Sequence, residues 1–209
     1  MMPCKVDVGL SGVNSFRGFP RRQIIRNALL ACFVFAAAIS LPESAHAWGC
    51  EGHQVIALLA EKHLSPRALA TVNQILRSSP IDPSLSRYCK DGGIDAMSDA
   101  ATWADDFRSQ HPETGPWHYI DIPLSTSGRS VEKIVEKFCD PKESCVTRAI
   151  SDQLTILRSP DSSQAKRADA LRFLIHFVGD LHQPLHTTTN NDQGGNCVPV
   201  SYLDRKSVV

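Results

Sequence analysis

From Gly52 onward, apolar positions recur at the three- and four-residue spacing of helices that bury one face. Between Gly52 and His63, Val55, Leu58, Leu59 and His63 share a stripe, which predicts a helix with that stripe inward. Ser65-Pro66 then supplies an N-cap hydroxyl and a proline at the first helical position, where no N–H partner is needed. The helix it opens runs through Arg77 and turns Leu69, Val72, Ile75 and Leu76 inward. Turn residues from Ser78 to Gly93 predict a loop, and a third helix is expected from about Asp95 to about Gln110. The segment Trp117 to Ile122, W-H-Y-I-D-I, is short and aromatic and reads as extended, with Pro123 stopping it. Further helices are expected over Ser130–Phe138, Ser144–Arg158 and Ser163–Leu181. No repeat, low-complexity tract or second-domain linker interrupts the series, so the pattern predicts a compact all-α domain.

The first 47 residues follow a different pattern. Arg17, Arg21, Arg22 and Arg26 precede an apolar run from Ala28 to Leu41, and Ala45-His46-Ala47 has the form of a signal cleavage site. The run is short for a membrane span, so residues 1–47 read as a signal peptide and 48–209 as a mature chain beginning at Trp48. Arg21-Arg22 also loosely resembles a twin-arginine signal, which leaves the export route open. Either route delivers the protein to the periplasm or the medium, with no stable membrane association after cleavage.

Charge adds little: 22 Lys and Arg balance 22 Asp and Glu, for a formal net charge of +0. That excludes any global attraction to nucleic acid or membrane, so a polyanion would have to be held by local cations or metals. Export, however, changes how the cysteines read. Cys4 and Cys32 leave with the signal, while Cys50, Cys89, Cys139, Cys145 and Cys197 stay in an oxidising compartment where disulfides persist. Cys139 and Cys145 flank a loop short enough for a local bridge, Cys50 with Cys89 is a looser pairing, and Cys197 is left over. A zinc–thiolate site is the alternative, but no C-x-x-C pair supports it.

The chemistry concentrates in I-H-F-V-G-D-L-H-Q-P-L-H, Ile175 to His186. His176 and Asp180 lie four apart, which on a helix brings an imidazole and a carboxylate to one point. Pro184 then bends the chain so that His186 can face the same cavity. Further zinc-type donors stand upstream at His53, Asp105 and His118. Each has a plain structural alternative: a buried histidine satisfied by hydrogen bonds for His176, a capping residue for His53, a solvated helix face for Asp105, and a half-buried strand position for His118.

Their motifs occur in a telling order. W-G-C-E-G-H at Trp48–His53, W-A-D-D-F-R at Trp103–Arg108, W-H-Y-I-D at Trp117–Asp121, R-F-L-I-H-F-V-G-D-L-H-Q-P-L-H at Arg172–His186 and G-G-N at Gly194–Asn196 together resemble the zinc-dependent single-strand nucleases of the S-one/P-one type. The resemblance implies a multi-helix fold of the phospholipase C/nuclease kind with a buried cluster of three zinc ions. It further implies cleavage of phosphodiester bonds in single-stranded DNA or RNA to 5′-phosphates, often with removal of 3′-phosphates from nucleotides. By the same resemblance, Asp105, His118, His176 and Asp180 hold one zinc. Asp180 bridges to a second, held by the amine and carbonyl of Trp48 and by His53, and His186 serves the third. The Trp48 amine becomes a ligand only after signal removal. Asp105 would also orient the attacking water and Arg108 would stabilise phosphoryl charge. Tyr119 would stack on an unpaired base, Asp121 would accept from a base edge, and Asn196 belongs to the substrate-binding set. Taken without the resemblance, Arg108 reads as a surface arginine, and Tyr119 and Asp121 as a packed aromatic beside a solvated acid. His182 is not carried over as a ligand.

One departure matters. The family's H-x-x-x-D, in an N-L-H-x-x-W-D context downstream of G-G-N, has no counterpart before Val209, and nothing in its spacing makes Asp204 a substitute. The expectation is therefore a C-terminally incomplete domain, with about two zinc ions well held instead of three. A monomer acting on single-stranded nucleic acid or 3′-nucleotides is the expected form. Two alternatives stay open: a zinc phospholipase C-like hydrolase, against which the W-G-x-x-G-H start and G-G-N speak, and a zinc-binding remnant without activity.

Overall fold

The computed structural model describes residues 49–85, 88–89, 92–128, 130–142, 144–195, 197–202 and 205–208. Trp48, Asn196, Asp204 and the proposed signal lie outside them. The chain divides into two compact units, one of them residues 46–196. The other includes residues 197–209, whose described part is an antiparallel hairpin pairing Pro199–Tyr202 with Arg205–Val208.

The larger unit is all-α, as the periodicity predicts. Its helices are α1 (Cys50–His63), α2 (Pro66–Ser78), α3 (Ala96–Ala100), α4 (Trp103–Gln110), α5 (Val131–Phe138), α6 (Val146–Arg158) and α7 (Gln164–His182). Short 3-10 turns cover Pro112–His118 and Pro184–His186, and a two-residue parallel pair joins β1 (Ile122–Pro123) to β2 (Thr188–Thr189). Among the described residues no helix is long and apolar enough to cross a membrane.

Helix α7 is the central element, burying Ala168, Ala170, Leu171, Arg172, Phe173, His176, Phe177, Gly179 and Asp180. It packs against α1, α2, α4 and α6. Phe173 and Phe177 join Trp103, Ala104, Ile120, Val146 and Ala149 in one apolar cluster. Leu171 joins Ala57, Leu76, Met97, Ala100 and Ala101 in another. Both clusters hold the same helix from different sides, so its C-terminal turns, which carry His176 and Asp180, are fixed at the meeting point.

Where the sequence states its signals locally, the elements fall where expected. Ser65, Ser130 and Ser163 each cap a helix through a hydroxyl that accepts from the backbone N–H three residues on, at 3.2, 3.4 and 3.3 Å. Two expectations fail for tertiary reasons. Val55 and Leu59 are about half exposed, at 52% and 48%, and His63 is exposed, because α1 turns His53 and Ala57 inward instead. The expected third helix breaks at Ala101–Thr102, where the Ala101 carbonyl accepts from His176 Nδ1 at 2.7 Å. The extended reading of Trp117–Ile122 also needs correction: Trp117 and His118 finish a 3-10 turn that Pro112 opens, and only Tyr119 onward is extended. Pro123 does not stop the strand but pairs within it, opposite Thr189.

The two expected disulfides are present, Cys50–Cys89 and Cys139–Cys145. Cys197 takes part in neither of these bridges.

Candidate metal centre

Four separate elements deliver side chains to the C-terminal turns of α7. His53 comes from the first turn of α1, Asp105 from α4, His118 from the end of the first 3-10 turn, and His186 from the second. His53, His118, His176 and Asp180 are almost wholly buried. Around Asp180 Oδ2, His118 Nδ1 stands at 3.2 Å and His176 Nε2 at 3.3 Å, and these nitrogens are 3.0 Å from each other. Asp105 closes the group, with Oδ1 3.9 Å from His118 Nδ1 and Oδ2 3.9 Å from His176 Nε2. The other oxygen, Asp180 Oδ1, faces His53 Nε2 at 3.5 Å and His186 Nδ1 at 3.2 Å.

These spacings suit a shared cation better than direct hydrogen bonds. Charge-assisted bonds shorten to about 2.7–2.9 Å, and both oxygens of the buried Asp180 lack a well-aligned donor. Four ligands held tetrahedrally at about 2.0–2.1 Å from zinc stand about 3.3 Å apart, close to what is found here. Among the described residues two sets of donors suitable for a metal ion emerge, His53–His176–Asp180 and Asp105–His118–His176. The donor chemistry, imidazole nitrogen and carboxylate oxygen without thiolate, fits a divalent metal of the zinc type.

Backbone carbonyls aim the rings. The Ala101 carbonyl accepts from His176 Nδ1, which leaves the Nε2 lone pair toward Asp180. The His118 carbonyl sits 2.9 Å from His186 Nδ1, so the proton belongs there and Nε2 of His186 remains a donor atom for a further ion. Electrostatics agrees with a centre built for positive charge. Burial would raise the Asp180 carboxyl, but His176, His118 and His186 hold it well below its ordinary value. Asp105 is also lowered, because His176, His118 and Arg108 outweigh burial. Burial and the neighbouring His176 bring His53 down to about 4, and burial lowers His118, so both offer neutral lone pairs at pH 7. Burial opposes protonation of His176 too, yet Asp180, Asp105 and the Ala101 carbonyl push it up to about 9. His176 must therefore release a proton when a metal enters.

The remaining residues singled out in the sequence lie around this centre or outside the described set. Arg108 stands at the rim, its guanidinium 3.1 Å from Asp105 Oδ1 and 42% exposed. Tyr119 is exposed, while its carbonyl accepts from the Val146 N–H at the start of α6. Asp121 is raised by burial and by Asp192, against the pull of His186, which places all three in one electrostatic neighbourhood. His182 is exposed and bonded to the Val178 carbonyl of its own helix, away from the cluster. Gly179 and the two aiming carbonyls escape a reading of the sequence. A glycine inside an apolar helical run is the one available hint, since the carbonyls carry no side-chain signature.

A family model described as S1/P1 Nuclease matches residues 48–208. The chain belongs to the S1/P1 nuclease family. Among its relatives, Endonuclease 2 of Arabidopsis thaliana is 32% identical over 167 residues, covering 78% of this chain and 53% of that protein. Nuclease P1 of Penicillium citrinum is 31% identical over 159 residues, covering 74% and 52%. Nuclease S1 of Aspergillus oryzae is 29% identical over 174 residues, covering 81% and 54%. The chain thus spans about half the length of the curated relatives it matches. The matched S1/P1 segment contains His53, Asp105, His118, His176, Asp180 and His186.

Proposed function

We propose that this S1/P1 family member is a zinc-dependent nuclease that hydrolyses phosphodiester bonds of single-stranded DNA or RNA to 5′-phosphates, with 3′-nucleotidase activity on nucleotides. The observation that carries this reading is the buried Asp180 carboxylate, whose two oxygens face different imidazoles from different elements. Asp105, His118, His176 and Asp180 would hold one zinc, and His53, Asp180 and the Trp48 amine a second. His186 would serve a third. Bound there, zinc supplies Lewis acidity that activates water and neutralises charge on the phosphoryl group.

The chain's own residues do the rest. Asp105 is less buried than Asp180 and opens toward solvent, so its carboxylate can orient a water as well as bind. Arg108, pinned to that carboxylate, holds a guanidinium where an anionic substrate enters, and its fork suits phosphoryl oxygens. Tyr119, 42% exposed, offers a face for an unpaired base, and Asp121 an acceptor for a base edge. Stacking of that kind favours single strands, because the bases of a duplex are already stacked on each other. Asn196 completes the proposed substrate-binding set.

The test compares denatured DNA, duplex DNA and phosphatidylcholine as substrates of the purified protein, with and without a chelator. Denatured DNA is expected to be cut fastest, to fragments with 5′-phosphates, and the chelator to abolish the cutting. Hydrolysis of phosphatidylcholine with DNA left intact would favour the phospholipase reading.

Processing belongs to the same proposal. The Trp48 amine is available as a ligand only once residues 1–47 are removed, so the active form is the exported, monomeric one in the periplasm or medium. The disulfides support an oxidising destination. Sequencing the N-terminus of exported protein is expected to read W-G-C-E-G-H, and any other start removes the amine from the proposed ligand set.

A further inference from the structure

We propose that Gly179 is a positioning residue, keeping open the slot through which the His53 imidazole reaches Asp180 and so setting whether the second metal is held. The proposal rests on the metal-centre reading above. Gly179 is buried inside the 19-residue α7, and it is not among the glycines with positive φ. Backbone freedom is therefore not what the position uses. Glycine also disfavours helix relative to alanine, so helix propensity gives no reason for it either.

The reason lies in what stands beside it. A Cβ built on Gly179 would fall 3.3 Å from His53 Cε1 and 2.6 Å from Nδ1, the latter too close for any real contact. The imidazole has no room to retreat. One of its faces stacks on the His176 ring, with centroids 4.0 Å apart and planes inclined by 12°. His176 is in turn fixed by its 2.7 Å bond to the Ala101 carbonyl. The His53 ring thus meets the bare backbone of α7 along its Nδ1 edge and a ring from the preceding turn of the same helix on one face. In this slot its Nε2 points at Asp180 Oδ1, 3.5 Å away.

Any side chain at 179 must push the His53 ring out of line with the residue next along the helix. Of the Asp105–His118–His176 donor set only His176 borders the His53 ring, and its bond to the Ala101 carbonyl holds it in place. The expected damage is selective: the ion shared by His53 and Asp180 is lost and the other is retained.

Zinc content and zinc affinity are measured on the exported protein and on Gly179→Ala, His53→Ala and the double variant. Gly179→Ala is expected to lose one zinc equivalent, or to bind it at least ~10-fold more weakly, the scale seen when a residue orienting a ligand is removed. His53→Ala should lose the same equivalent, and the double variant nothing more. Any drop in melting temperature caused by Gly179→Ala should also be recovered in the double variant, because the ring that meets the new methyl group is gone. Wild-type stoichiometry and affinity in Gly179→Ala would overturn the proposal, as would a double variant that stays unstable, which would make Gly179 a packing residue only. If the unaltered protein takes up no zinc, the metal-centre reading falls, and the proposal with it.

Discussion

Asp180→Asn is expected to strip the protein of nearly all its zinc, whereas His186→Ala should leave most of it in place. The difference follows from where the two side chains stand. Asp180 is fully buried, with Oδ2 facing His118 and His176 and Oδ1 facing His53 and His186. Among the described residues it is the one carboxylate that reaches the imidazoles of the first and second proposed zinc sites at 3.5 Å or less. An asparagine of the same shape keeps one ligating oxygen but presents an amide N–H₂ to the other group of imidazoles. It also removes the negative charge that would stand between the two proposed dications, in a setting where little water can replace it. Both ions should weaken together. His186, by contrast, is partly exposed and its Nδ1 is engaged with the His118 carbonyl, so its removal touches only the third position. Metal analysis after desalting decides the matter: equal zinc retention in the two variants would remove Asp180 from its bridging role. Nuclease activity in Asp180→Asn should fall by several orders of magnitude, since loss of Lewis-acid stabilisation typically costs several kcal/mol at the transition state.

How far the sequence reveals this molecule depends on how local each cause is. The caps at Ser65, Ser130 and Ser163 are visible because a hydroxyl and an N–H three residues on make the whole interaction. The His176–Asp180 pair is visible because helix geometry alone brings the side chains together. The face of α1 is not, because its rotation is set by His53 lying against Gly179, more than a hundred residues later, and hydrophobicity alone wrongly favours Val55 and Leu59. The break between α3 and α4 is hidden for a similar reason, since it depends on a carbonyl meeting an imidazole from another helix. The 3-10 turn at Pro112–His118 defeats a propensity reading because aromatic residues there cap a proline-initiated turn instead of pairing in a sheet. His53, Asp105, His118 and His186 come from four elements, and no spacing rule connects them to α7. Only the order of the motifs, through resemblance to a known family, does so. What neither pattern nor motif supplies is the support around the ligands: two backbone carbonyls and a missing Cβ.

Zinc should also raise the melting temperature of the protein substantially, and Asp180→Asn should abolish that rise. Without metal, the buried Asp180 carboxylate is balanced chiefly by the protonated His176, while burial keeps His53 and His118 neutral. Such a group is costly unless a cation neutralises it. A site filled at a thousand times its dissociation constant adds about 4 kcal/mol to stability. For a domain of about 150–250 residues each kcal/mol moves the midpoint by about 2–4 °C, so one tight site is worth about 8–16 °C and two sites more. The asparagine variant separates ion binding from general effects of zinc on solubility. Its amide cannot supply the carboxylate that the proposed sites share, so its curves in zinc and in chelator should superimpose. The measurement is four melting curves, each protein with zinc and with chelator. If the unaltered protein melts within about 2 °C of the same temperature in both conditions, the buried cluster is not a tight metal site.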